Sequence, residues 1–160
     1  MGYRCVLVRH GEVQQHFFDS ISDEDCIRFR ATRGVSDFNT LWEAIAMLVA
    51  IRLWMPELPG LDLRVKSDNL AALSAALKFK AHDPRLNAIA REMALDVCEG
   101  QYELNVLEHI PGISNKLPDA LSRLFAPEPQ PWPVELNLSR CRSAPARGDD
   151  FWRTWGEPSS

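Results

Sequence analysis

The chain has 160 residues, 46% of them hydrophobic and 25% charged, and its 18 Lys and Arg against 22 Asp and Glu leave a net charge of −4. That length suits about one domain with a sizeable core, and the composition excludes a collagen, a disordered acidic tail or a disulfide-dense miniprotein. A protein that coats nucleic acid generally would be basic, so any nucleic-acid role must rest on a local site. Cys5, Cys26, Cys98 and Cys141 form no C-x-x-C pair, which argues against zinc and for free thiols in a reducing compartment. No apolar run reaches the roughly 18 residues that span a bilayer, and the N-terminus lacks a signal peptide's apolar stretch. The chain is expected inside the cell and off the membrane.

In chain order, residues 3–9 are apolar and β-branched enough for a strand, and 13–20 for a second, joined by a hairpin turn at Gly11. A third strand is expected at 27–32. Helical periodicity then runs from Thr40 to Trp54 and is stopped by Pro56. Residues 63–67 alternate as a strand, and 69–79 carry Leu70, Leu73 and Leu77 at helical spacing. Asp83-Pro84 opens a helix that ends near Cys98 and Gly100. Residues 102–109 read as a strand and 118–124 as a last short helix. The order β-β-β-α-β-α-α-β-α predicts a mixed α/β sheet with antiparallel and parallel strands flanked by helices. Six of the eleven prolines follow residue 126. The expected organisation is therefore a domain over 1–125 and a Pro-rich, disordered tail over 126–160, with Phe151, Trp152 and Trp155 as a sticky patch.

Three carboxylates occupy comparable places: Glu43 near the start of the long helix, Asp68 at a strand end, and Asp119 at the start of the last helix. Carboxylates gathered on one edge of a sheet hold hard cations such as Mg²⁺, and two such ions can drive phosphodiester hydrolysis. Each acid also has a local use. Glu43 makes a capping box with Thr40, Asp68 is an N-cap, and Asp119 suits the first-turn dipole.

The run from His109 to Leu124, His-Ile-Pro-Gly-Ile-Ser-Asn-Lys-Leu-Pro-Asp-Ala-Leu-Ser-Arg-Leu, resembles the end of the ribonuclease H domain of retrotransposon reverse transcriptases, which shows H-x-P-G-x-x-N-x-x-x-D-A-L-S-R. Ser67-Asp68-Asn69 is similar to that family's strand-end S/T-D, and Glu43 to its helix glutamate. The likeness covers about residues 1–125. It implies a five-stranded ribonuclease-H-like sheet and an endonuclease that hydrolyses the RNA strand of RNA–DNA hybrids with two Mg²⁺ or Mn²⁺ ions. Glu43, Asp68 and Asp119 would ligate metal, His109 would assist proton transfer or product release, and Asn115 and Asn69 would contact nucleic acid. The strand to be cut would be chosen by shape and 2′-hydroxyl contacts. An upstream reverse-transcriptase polymerase domain is an implied partner.

The family's first-strand aspartate has no counterpart: the chain starts Met1-Gly2-Tyr3-Arg4, and its first acid is Glu12. An N-terminally truncated domain with impaired activity is the resulting expectation. A ribonuclease-H-like scaffold that binds without cutting is the main alternative. The run Val8-Arg9-His10-Gly11-Glu12 also looks like the start of histidine phosphatases, a match of five residues without a downstream counterpart. Lys66, Lys78, Lys80 and Arg85 are candidates to line a hybrid-binding groove.

Overall fold

The computed structural model describes residues 2–10, 12–57, 62–100, 102–109, 136 and 138–154, with 62 and 104–109 described by backbone alone. Strands β1 (Gly2–Arg9) and β2 (Glu12–Ser20) form an antiparallel hairpin with a register shift at Leu7/Val8. His10 sits at its tip, exposed, with a positive φ of 54°.

The next element departs from expectation. Residues 27–32 are not a strand; helix α1 spans Asp23–Phe29. Ser22 caps it, its Oγ accepting from the Asp25 amide at 3.0 Å while the Asp25 carboxylate accepts from the Ser22 amide at 2.9 Å. Asp23, Glu24 and Asp25 in the first turn complement the helix dipole. That start signal outweighs the β-branched character of Ile27 and Thr32.

Helix α2 (Asn39–Trp54) forms as its periodicity predicts. It is apolar around its whole circumference. Ile45, Leu48 and Val49 are fully buried, and Leu41, Trp42 and Ile51 nearly so. Such a helix must be enclosed on every side: β1 packs on it from one direction, α3 (Leu70–Lys78) and α4 (Pro84–Cys98) from others. Tight turns at Ser36–Phe38 and Met55–Glu57 extend the helical run to 22 residues. By length and composition that run is sufficient to cross a membrane, contrary to the sequence reading, and in this fold it is the core helix. Leu48→Ala is expected to cost about 2–5 kcal/mol, because a cavity opens where packing comes from all sides; chemical denaturation measures it.

Strand β3 (Asp62–Ser67) pairs in parallel with β4 (Glu103–His109), Ser67 opposite His109. Asp83 caps α4, accepting from the Arg85 and Leu86 amides at 2.8 and 3.3 Å, with Pro84 at the first helical position. Hydrogen bonds from Arg85, outweighing burial, hold the Asp83 carboxyl down to about 2. The fold is mixed α/β. Among the described residues its strands make two two-stranded sheets, since the segment expected to supply a third hairpin strand is helix α1.

Residues 138–154, within the expected tail, lie against this body. Leu138–Arg140 is a short turn, Cys141 bridges to His16, and the Arg142 amide donates to the His16 carbonyl at 2.8 Å. Arg147 is buried and pairs with Asp25 through Nε and Nη2, at 3.0 and 2.8 Å. It also pairs with Asp19. Trp152 packs edge-on against Phe29, ring centroids 5.2 Å apart.

Candidate functional site

The site is built where the C-terminal ends of β3 and β4 meet the start of α2. Strand β3 alternates: Arg64 and Lys66 are exposed while Leu63, Val65 and Ser67 turn inward. Ser67 stands at an inward position where the alternation would place an apolar residue, and its Oγ reaches the Glu43 carboxylate at a long 3.5 Å. It also accepts from the Asn69 amide at 3.1 Å, fixing the bend that follows the strand.

The local explanations for two acids fail here. Helix α2 begins with Phe38 as its N-cap and no side-chain cap bond, so Thr40 and Glu43 make no capping box. Thr40 Oγ1 instead accepts from Asn69 Nδ2 at 3.0 Å. Glu43 is the fifth residue of the helix, half-buried, and faces Ser67 and Asn69. The cap of α3 is Asn69, whose Oδ1 accepts from the Ala72 amide at 3.0 Å. Asp68 does not cap; it projects exposed beside the strand end. From the sequence Thr40 reads as a capping residue and Ser67 as part of a strand-end motif; that their hydroxyls meet Asn69 and Glu43 was not foreseen. Serine at an inward strand position was the available signal for Ser67.

Burial pushes the Glu43 carboxyl above its ordinary range, and the charge of Asp68 adds to the rise; hydrogen bonds from Asn69 and Ser67 only partly offset it. Burial, with Glu43 adding, also pushes the Cys5 thiol on β1 up to about 12. The Cys5 Sγ donates to the Ala46 carbonyl at 3.6 Å. A carboxyl favoured in its neutral form by the fold makes a consequence for stability. The native state holds the proton more tightly than the unfolded chain, so stability falls as pH rises through the folded Glu43 value. Glu43→Gln is therefore expected to raise the melting temperature of chelator-treated protein at neutral pH. The gain should vanish as pH falls below the carboxylate range; a pH series of thermal melts checks this.

Glu43 and Asp68 supply hard oxygen donors in mutual repulsion, the chemistry that Mg²⁺ or Mn²⁺ suits. Among the described residues no group of three or more candidate ligands is assembled. Asp119 and Asn115 lie outside the described residues. His109 ends β4 beside Ser67, on the same sheet edge as Asp68, described by its backbone. Of the cations considered, Lys66, Lys78 and Lys80 are exposed, while Arg85 pairs with Asp83 at 2.6 Å and lies over the Phe38 ring. Arg9 and His10 occupy the exposed hairpin tip. No family model, curated protein or solved structure matches the chain.

Proposed function

We propose that this chain is a ribonuclease-H-like domain of retroelement type, acting on the RNA strand of RNA–DNA hybrids with Mg²⁺ or Mn²⁺. One observation carries the reading. Glu43 and Asp68, distant in sequence and both without capping duties, converge at the C-terminal end of a parallel strand pair. Ligand sites of α/β sheets form at such ends. In this reading β1–β2 and β3–β4 are parts of one mixed sheet, and Asp119 completes the acidic set.

Divalent ions held there would activate a water and stabilise the leaving oxygen. The chain's own contribution is positional. Ser67 and Asn69 hold Glu43 and fix the strand-to-helix bend, which presents Asp68 to solvent where a phosphodiester can approach. Histidine at 109, on the neighbouring strand end, is the residue type that exchanges a proton near neutral pH.

The test is cleavage of a labelled RNA–DNA hybrid in Mg²⁺ and in Mn²⁺, with Asp68→Asn as control. Cleavage that the substitution removes supports the nuclease. A folded protein that binds hybrid without cutting it supports the scaffold reading.

A further inference from the structure

We propose that residues 147–154 act as a tethered peptide ligand, recognised as a separate unit by a groove that β1, β2, α1, α2 and α4 build for a guanidinium-and-aromatic segment. This inference is independent of the nuclease reading.

Residues 142–154 form neither helix nor strand. The segment folds on itself through short turns, with the Phe151 amide on the Gly148 carbonyl at 3.0 Å and the Trp152 amide on the Asp149 carbonyl at 3.2 Å. Its attachment to the body is made mainly by side chains. Arg147 enters an acidic niche of Asp25 and Asp19, also donating to the Ser20 carbonyl at 3.0 Å, with the Tyr3 ring beneath it. Trp152 fills the space beside Phe29 and donates its indole N–H to the Arg147 carbonyl at 3.2 Å. At the far end Thr154 donates twice to Glu92, from its amide and its hydroxyl, each at 2.6 Å. Arg153 pairs with Asp96 and Glu99.

The receptor side is chemically specific. Asp25, Glu92 and Asp96 are all buried. Buried carboxylates demand cationic or hydrogen-bonding partners. Arg52 of the body serves Glu92 and Asp96, at 2.7 and 2.9 Å. For Asp25, the cation is Arg147 of the segment. The groove therefore suits a peptide that carries arginine five residues before tryptophan, two of the residue types that most often anchor interfaces.

The test uses the full chain with a protease site placed between residues 126 and 135. After cutting, the two pieces are expected to co-elute on gel filtration at micromolar concentration. The body, stripped in mild denaturant and exchanged back, is then titrated with a synthetic 138–156 peptide and with the same peptide carrying Arg147→Met or Trp152→Ala. Saturable rebinding, weakened at least about a hundredfold by Arg147→Met and clearly by Trp152→Ala, is the expected result. Because the substitutions lie in the peptide, the body's folding is the same in every arm. Separation of the pieces on cutting, equal binding of the three peptides, or a stripped body that unfolds and accepts none of them would each overturn the proposal.

Discussion

An Asp68→Asn protein is expected to keep its fold and to lose at least about a hundredfold of its hybrid cleavage, since even groups that merely support metal ligands are worth 10–100-fold. The amide preserves size and one oxygen but removes the charge a divalent cation needs. The fold should be indifferent because Asp68 is exposed and Asn69, one residue on, caps α3. Matched melting curves with unmatched cleavage rates in Mg²⁺ are the result to look for. Equal rates would show that the phosphodiester is cut elsewhere on the surface or by another set of groups.

Arg147→Met should be the most destabilising single change in the C-terminal segment. It leaves the Asp25 carboxylate, 1% exposed, without its guanidinium. Orphaning a buried ion typically costs about 3–5 kcal/mol. For a chain of this size that lowers the melting temperature by roughly 10 °C. The loss should also depend on acidity. Burial opposes the Asp25 charge, but the bonds from Arg147 and Ser22 prevail and hold its carboxyl below the usual range. Its contribution is therefore complete above the unfolded carboxylate range and fades as pH falls through the folded value. Melts of the two proteins should converge in acid. A gap that stays constant from neutral pH to the acid limit would mean that Arg147 acts through packing rather than charge.

Much of the fold was legible because it is written in local periodicity. Residues 40–54, 63–67 and 84–98 carry spacing and stop signals that fix their elements within a residue or two. Residues 27–32 misled for a local reason as well: the decisive signal was the Ser22–Asp25 capping box upstream, not the side chains inside the segment. The candidate acids were visible as residue types at element boundaries, but their freedom from capping was not. That Phe38 and Asn69 occupy the cap positions depends on where each helix takes its first turn, which tertiary contacts such as Asn69 to Thr40 decide. The docking of 138–154 was illegible for a different reason. Its partners Asp19, Asp25, Glu92 and Asp96 stand between about 60 and 130 residues away, and no periodic pattern encodes pairings over that span.

The enclosure of α2 also bears on how the protein is made. Trp54 leaves the ribosome roughly 100 residues before Thr154, whose segment contacts Arg52 on the same helix through Phe151. At synthesis rates of about 5–20 residues per second, the nascent helix spends on the order of 5–20 s without its full set of neighbours. Until α3 and α4 have emerged, it lacks most of the packing that buries eleven of its sixteen residues. Cells that express this chain should need to shelter it from aggregation and from the membrane-targeting machinery until the last contacts arrive, and slow translation of the region after α2 should lower the soluble yield.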